Sequence, residues 1–150
     1  MSAPEPQLPP EALARLHAAC FTTPPPWSAE SFAALLAAPG ALLLCAPDGS
    51  AFALFRIIGD EAELLTIATD PARRRQGQAR ALLERFAPLA RGRGVQQVFL
   101  EVSADNHPAR SLYAACGFTP SGRRPGYYRR PDGQAVDALM LCKSLAAELT

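Results

Sequence analysis

The chain of 150 residues has little lysine and almost no net charge. Its 15 basic residues are 14 arginines and Lys143; with 14 acidic residues the formal net charge is +1. A nucleic-acid-binding domain is usually clearly basic, so we expect no nucleic-acid partner. The charge is nevertheless split: residues 1–72 hold eight acids and two bases (−6), and residues 73–150 hold thirteen bases and six acids (+7). The run of three arginines where the sign changes indicates one anionic ligand.

Long apolar runs and paired cysteines are also missing. The apolar runs are far shorter than the roughly 20 residues that span a bilayer, and the first residues lack the basic and apolar regions of a secretory signal. The four cysteines form no C-x-x-C pair, which argues against a disulfide framework or a zinc site. We therefore expect a cytoplasmic protein with reduced thiols, no metal and no membrane contact.

What the sequence does contain is enough apolar material for one core. Hydrophobic residues make up 49% of the chain, and its length is typical of one domain. We expect a single domain over residues 1–150, with residues 1–9 as a flexible proline-rich tail. Periodicity and turn residues predict helices at about 10–19, 28–38, 78–91 and 107–116, and strands at 41–46, 51–58, 63–69 and 96–102. Residues 118–121, 127–128 and 135–142 suggest a final pair of strands.

This order of elements favours an α/β fold, with helices on both faces of a mixed sheet. Ser28 is a good N-cap for the second helix. Pro88 lies inside the third helix, where we expect it to cause a kink, since it removes one backbone hydrogen bond.

The most informative stretch is a strand, a basic turn and a helix start over residues 64–79. Free N–H groups at a helix N-terminus attract anions, and Gly77 would let the backbone approach phosphate oxygens. The stretch contains neither GxxxxGK[ST] nor GxGxxG. A solvated basic turn ahead of a surface helix remains the alternative.

The turn also carries a family signature. Arg74-Arg75-Gln76-Gly77-Gln78-Ala79 matches the pattern [Q/R]-x-x-G-x-[G/A], by which the sequence resembles GNAT acetyltransferases. Leu100-Glu101-Val102, Asp105-Asn106, Leu112-Tyr113 and Gly117-Phe118 follow in the family's order. Pro26-Trp27-Ser28, Arg123-Arg124, Tyr127-Tyr128 and Asp137 make it similar to the bacterial ribosomal-protein-alanine N-acetyltransferases. The resemblance covers residues 26 to 141.

The resemblance implies the GNAT acyl-CoA N-acyltransferase fold. This is a central mixed, mostly antiparallel sheet of about six to seven strands, splayed at the cofactor site and flanked by about four helices. It also implies direct transfer of acetyl from acetyl-CoA to a primary amine in a ternary complex, by a monomer or weak dimer. The preferred acceptor is the N-terminal α-amine of a protein such as an alanine-starting ribosomal protein. The alternatives are a small amine (polyamine, amino acid or aminoglycoside) and a non-catalytic acyl-CoA sensor.

The resemblance assigns roles to residues as well. It makes Glu101 the general base and Tyr113 the general acid. The residues that would hold the pantetheine arm and pyrophosphate are Ile67, Ala68, Thr69, Arg74, Arg75, Gln76, Gly77, Gln78, Ala79, Arg80 and Asn106. Those that would contact the acceptor are Trp27, Tyr127, Tyr128 and Asp137.

The chemistry of the residues supports a base at Glu101. An α-amine has a pKa near 8 and is mostly protonated at pH 7, so acetylation requires a base. A carboxylate in an otherwise apolar strand is costly unless it has a task or partners. The alternative is a strand-end Glu101 that faces solvent or pairs with an arginine. Tyr113 alone would more often be an amphipathic core residue.

Other residues have ordinary explanations. We expect His17 to be peripheral, His107 to lie on the surface or cap a helix, and Cys116 to pack. Trp27 is either a core anchor or, by preference, part of the cleft edge. The chain departs from the subfamily at Ala79, Val136 and Pro108, which leaves cofactor binding intact but weakens the inference about the peptide.

Overall fold

The computed structural model describes residues 7–21, 26–74 and 76–146. Over these residues the helices are α1 (Pro10–Cys20), α2 (Ala29–Ala37), α3 (Gln78–Gly92) and α4 (His107–Ala115), and a short 3₁₀ turn covers Pro71–Arg73. The strands are β1 (Ala41–Cys45), β2 (Ala51–Ile58), β3 (Glu61–Thr69), β4 (Gln97–Ser103), β5 (Thr119–Arg129) and β6 (Ala135–Ser144). The predicted order of helices and strands is confirmed.

The strands form one mixed sheet in the order β1-β2-β3-β4-β6-β5. Neighbouring strands are antiparallel except β3 and β4, which are parallel because α3 connects them as a crossover. Six strands and four α-helices in the described part of the chain confirm the predicted α/β architecture. None of the described helices has the length and apolarity that crossing a membrane requires.

Helices cover both faces of the sheet. On one face α3 and α4 pack over the larger core, where the rings of Phe55 and Phe86 stack 3.6 Å apart. On the other face α1 and α2 pack over a smaller core that contains Leu13, Phe32 and Phe52. The sheet is therefore held between two cores, one on each face.

Part of the predicted N-terminal tail packs against the rest of the protein. Residues 7–9 of the expected tail are anchored, since Leu8 packs against the smaller core and the Gln7 amide donates to the Leu43 carbonyl at 3.3 Å. The rest of the predicted tail, residues 1–6, lies outside the described residues.

Helix α3 continues past Pro88 to Gly92, because a proline removes one hydrogen bond without ending a helix that is packed on a core.

Strand β5 is longer than the sequence suggests. The separate segments expected at 118–121 and 127–128 belong to one strand, Thr119–Arg129. Arg124 pairs with Ala138 and Tyr128 with Val136, so the three β5 residues between them face the single residue Asp137 on β6. This wide bulge accommodates proline and glycine, which ordinarily indicate a turn rather than a strand.

A second bulge lies in β3. Leu54 of β2 pairs with Thr66 and the next residue, Phe55, pairs with Leu64, which leaves Leu65 without an opposite residue. The extra residue reverses which face the following side chains take. The parallel pairing of β3 with β4 also stops here, at Leu64 and Leu100. Beyond this point the two strands separate.

Candidate active site

A cleft of about 1150 Å³ opens between the separated ends of β3 and β4. A cavity of this volume at a sheet opening is large enough for a sizeable organic ligand. Its walls come from α1, β3, the start of α3, β4, α4 and β5. We call the β3–α3 side the cofactor wall and the side formed by α1, Trp27 and β5 the acceptor wall.

The cofactor wall begins with backbone. Ile67, Ala68 and Thr69 all line the cleft, as predicted. Because the described pairing of β3 with β4 ends at Leu64, the β3 groups that follow on this side are open to an extended ligand, which can add like a strand. The Thr69 carbonyl accepts a hydrogen bond from the Cys20 thiol at 3.1 Å, which ties α1 to the end of β3.

The cofactor wall continues into the N-terminus of α3. Gly77 is the N-cap, with a φ of 74° and no side chain to cap the helix. The first helical bond joins the Ala81 N–H to the Gly77 carbonyl, so the N–H groups of residues 78–80 have no acceptor within the helix. A Cβ placed on Gly77 would meet no described atom within 4 Å. Three free donors and open space beside them suit an anionic group.

Positive charge surrounds this terminus. Arg74, Gly77, Gln78, Ala79 and Arg80 line the cleft. Gln76 is exposed beside them, and Arg75 lies outside the described residues.

The side chain of Gln78 points to the β1–β2 turn rather than to the open cleft. Its amide oxygen accepts from the Ser50 hydroxyl at 2.6 Å, and its amide nitrogen donates to Asp48 at 3.3 Å. Hydrogen bonds from Ser50 hold the pKa of Asp48 below its usual range, so this carboxylate stays ionised and also pairs with Arg73 at 3.9 Å. Gln78 therefore contributes its backbone N–H to the anion site.

Asn106 starts α4 at the far end of the cleft, which it lines. Its side-chain oxygen accepts from the Ala109 N–H at 3.2 Å, a regular N-cap bond. Its side-chain NH₂ group is the donor that remains for a ligand. Next to it, Asp105 accepts from Ser103 and forms a 2.7 Å ion pair with Arg130, which holds this loop against the end of β5. His107 is exposed at the first position of the helix, as expected.

Glu101 enters the cleft from β4. Leu100 and Val102 point into the larger core, so strand alternation directs Glu101 to the opposite face. Its Oε1 accepts a hydrogen bond from the Tyr128 hydroxyl at 2.7 Å, and its Oε2 lies 3.7 Å from Nε of Arg124. The side chain is 22% exposed. The expected pairing with an arginine is present, and Glu101 also faces the cavity, while its role as the base stays a prediction.

Tyr113 enters from α4. It is 6% exposed, lies edge-on to Phe118 at 5.8 Å and lines the cleft. Burial raises its pKa, which keeps the phenol protonated and able to donate. Tyr113 thus combines the core role expected of a helix tyrosine with access to the cavity.

The acceptor wall holds an aromatic cluster in which one expectation is wrong. His17 was expected to be peripheral, yet it is 1% exposed. Its ring stacks on Phe21 at 4.3 Å and on Trp27 at 5.0 Å, and Nδ1 accepts a hydrogen bond from the backbone N–H of Trp27 at 3.1 Å. A lone histidine in a short helix gives no sequence signal of this contact, which depends on the packing of Phe21 and Trp27 against it.

His17 is neutral in this environment. Burial lowers its pKa to about 4, so the ring remains uncharged near pH 7. Trp27 meets both descriptions given to it, because it packs against the smaller core and lines the cleft.

The remaining acceptor residues lie on the last two strands. Tyr127 is 53% exposed and lines the cleft, with the guanidinium of Arg124 5.1 Å above its ring. Asp137 lies elsewhere: its carboxylate accepts from the Gly126 N–H at 2.8 Å and pairs with Arg123 at 3.0 Å. Asp137 therefore holds the β5 bulge in shape, and its contact with an acceptor stays a prediction.

The structure brings the other described site residues together, apart from Gln76. The lining of the cleft also includes His17, Cys20 and Arg124, which the sequence did not single out as site residues, and Asp48 supports Gln78. The contact between Arg124 and Glu101 depends on the β5 bulge, which has no signal in a sequence whose proline and glycine suggest a turn.

The cleft fits acetyl-CoA. Open strand backbone suits an extended amide-containing arm, and the α3 terminus with its arginines suits a pyrophosphate.

Comparison with known proteins agrees with this fit. The profile of the acetyltransferase (GNAT) family matches residues 11–118. The [ribosomal protein bS18]-alanine N-acetyltransferase of Escherichia coli K12 is 38% identical over 118 residues, 77% of this chain and 79% of that protein. An N-alpha-acetyltransferase of Mycobacterium tuberculosis H37Rv is 37% identical over 123 residues, covering 77% and 76%.

A solved structure is also similar. The crystal structure of the E. coli ribosomal-protein-S18-alanine N-acetyltransferase matches with a TM-score of 0.82 and 32% identity, over 93% of this chain and 89% of that one.

Proposed function

Because the chain belongs to the GNAT acetyltransferase family and is an acetyl-CoA-dependent N-acetyltransferase, we propose that it acetylates the N-terminal α-amine of a protein. The favoured acceptor is a ribosomal protein that begins with alanine. The observation that carries this proposal is the 38% identity to the E. coli enzyme that is named [ribosomal protein bS18]-alanine N-acetyltransferase.

The geometry supports Glu101 as the base. An α-ammonium group that enters between the walls must lose a proton before it can attack. The Glu101 carboxyl group accepts a hydrogen bond from Tyr128 and faces the cleft, so it can take up that proton directly or through a water.

The geometry supports Tyr113 as the donor. Acetyl-CoA supplies its acetyl group from a thioester, and transfer of that group leaves the CoA thiolate. The Tyr113 phenol lines the same cleft and is held protonated by burial, so it can donate a proton or hydrogen bond to that sulfur. Open N–H groups of β3 beyond Leu65 are suited to receive the negative charge that develops on the carbonyl oxygen.

The acceptor wall supports a peptide rather than a small cation. Trp27, Tyr127 and Tyr128 provide aromatic surface at the cleft, and these rings can pack on a peptide backbone and its first side chains. Arg124 adds a positive charge beside Glu101, which opposes the binding of a polycation such as a polyamine.

The experiment is thiol release from acetyl-CoA with a panel of amines. An alanine-starting peptide of a ribosomal protein is the test substrate. One control is an N-terminally acetylated peptide that carries an internal lysine. The other controls are spermidine, free alanine and an aminoglycoside. We expect turnover with the free α-amine and none with the blocked peptide.

Other results would replace the proposal. Faster turnover of a small amine than of every peptide would make the enzyme a small-molecule acetyltransferase. Binding of acetyl-CoA, seen as a raised Tm, with no turnover of any amine would make it an acyl-CoA sensor.

A further inference from the structure

The Glu101 carboxylate is held by a donor that comes from a different strand. Tyr128 lies on β5, two strands away from β4, with β6 between them. Its hydroxyl donates to Oε1 of Glu101 at 2.7 Å, a normal length for a hydrogen bond to a carboxylate.

The β5 bulge makes this contact possible. Three β5 residues fit opposite Asp137, and Asp137 holds them through the Gly126 N–H and Arg123. As a result Arg124 and Tyr128 both reach Glu101 from one strand, one at each carboxylate oxygen. A regular strand would place these two residues farther apart along the sheet.

We propose that Tyr128 is a positioning residue for Glu101: its hydroxyl fixes the carboxylate in the cleft, in the orientation in which it accepts the amine proton. The inference rests on the proposed role of Glu101 as base. It gives Tyr128 a different task from the acceptor contact that the family resemblance implies.

Tyr128 is suited to donate and not to titrate. Burial, followed by its hydrogen bond to Glu101, raises its pKa, so the phenol keeps its proton across the working range. A fixed donor to a carboxylate has two effects: it restricts the carboxylate to one rotamer and it stabilises the negative charge.

Arg124 has a weaker version of the same effect. Its Nε is 3.7 Å from Oε2 of Glu101, and its side chain is 54% exposed, so water and salt screen this pair. The guanidinium also lies on the Tyr127 ring, which competes for its position.

Other titratable groups line the same cleft and have to be separated from Glu101 in any pH experiment. They are His17 and Cys20 on α1, Glu63 on β3, Tyr113 on α4 and Tyr127 on β5, with Arg73, Arg74 and Arg80 at the α3 end. His17 titrates near pH 4, below the assay range, and the arginines keep their charge throughout.

The test is the split between kcat and KM for one peptide at saturating acetyl-CoA and one pH, so that these titrations and that of the peptide amine are the same in every assay. In Tyr128→Phe the carboxylate loses the donor that fixes it, so we expect kcat to fall about tenfold while the KM of the peptide stays within about a factor of two. A residue that only shapes the cleft for the peptide would instead raise KM.

Tyr127→Phe is the matched control. It removes a hydroxyl from the neighbouring residue, which lines the cleft but has its ring against Arg124 and Tyr128. Any loss in this variant should appear in KM rather than in kcat. Arg124→Gln should lower kcat less than Tyr128→Phe does, and 0.5 M NaCl should remove the difference between Arg124→Gln and the wild type.

The outcomes separate this inference from the proposed function. If Glu101→Gln lowers kcat while Tyr128→Phe raises the KM of the peptide and leaves kcat at the wild-type value, Tyr128 only shapes the cleft and the inference is wrong. If Glu101→Gln leaves kcat unchanged, the base assignment itself fails. An unchanged Tm and acetyl-CoA affinity in Tyr128→Phe shows that the variant is folded.

Discussion

The two walls of the cleft recognise their ligands in different ways. The cofactor wall offers backbone groups: the open edge of β3 and the free N–H groups after Gly77. The acceptor wall offers side chains: Tyr128, which holds Glu101 of β4, and Trp27, which stacks on His17. Backbone recognition depends on chain conformation and tolerates many side chains, whereas side-chain recognition depends on each residue and on its packing. Substitutions should therefore affect the two walls differently.

The largest effect on kcat is expected from a substitution of Glu101. Glu101→Gln removes the base, and we expect kcat to fall by about 10² to 10⁴, most strongly at low pH where little of the amine is neutral. Acetyl-CoA affinity, measured by calorimetry, should stay within a factor of about two because the cofactor wall is unchanged. An equal loss of cofactor affinity would show that the walls are not independent.

The next effect concerns the packing of the acceptor wall. Burial lowers the pKa of His17 from 6.5 to about 4. Between pH 4 and pH 6.5, therefore, the imidazole is protonated in the unfolded state and neutral in the folded state. The free energy of unfolding should therefore fall by roughly 3 kcal/mol as the pH drops from 6.5 to 4. Equilibrium urea unfolding across this range, followed by the fluorescence of Trp27, measures it.

Two variants check the assignment to His17. His17→Gln keeps an acceptor for the Trp27 N–H without a titrating ring, and should flatten this dependence. His107→Gln changes an exposed histidine and should leave it in place. A dependence that persists in His17→Gln would assign the proton to another group.

A moderate effect is expected at Tyr113, which enters the cleft from α4. Tyr113→Phe keeps the packing against Phe118 and removes the donor, so kcat should fall about tenfold to a hundredfold with Tm within a few degrees. Stopped-flow measurement of thiolate release shows whether the loss lies in the chemical step. Full activity would mean that the thiolate leaves without help from this phenol.

The smallest effect tests the cofactor wall. Gly77 has a φ of 74°, which costs an alanine about 1 kcal/mol, although a Cβ there has room. Gly77→Ala should therefore raise KM for acetyl-CoA up to about tenfold and leave kcat unchanged. Gly59→Ala is the control, because Gly59 has a φ of 61° and equal room in the β2–β3 turn. It should lower Tm without changing KM.

The same contrast explains what the sequence could predict. The helices, the strands and the α3 anion site follow from local signals, such as Gly77 before a helical repeat and Pro-Asp-Gly before β2. The burial of His17 could not be predicted, since it depends on Phe21 and Trp27 closing around it. The contact of Tyr128 with Glu101 depends on a β5 bulge at Pro125 and Gly126, residues that locally favour a turn.

The extra residue in β3 stands at the point where the cleft opens, because Leu65 has no opposite residue on β2 and the described pairing with β4 ends beside it, at Leu64. Deletion of Leu65 would remove this bulge, and we expect β3 then to keep one register with β2 and to pair with β4 beyond Leu64. The two cores would remain, but the opening for a substrate would narrow. We therefore expect this one-residue deletion to give a folded chain of nearly the same composition with little or no activity.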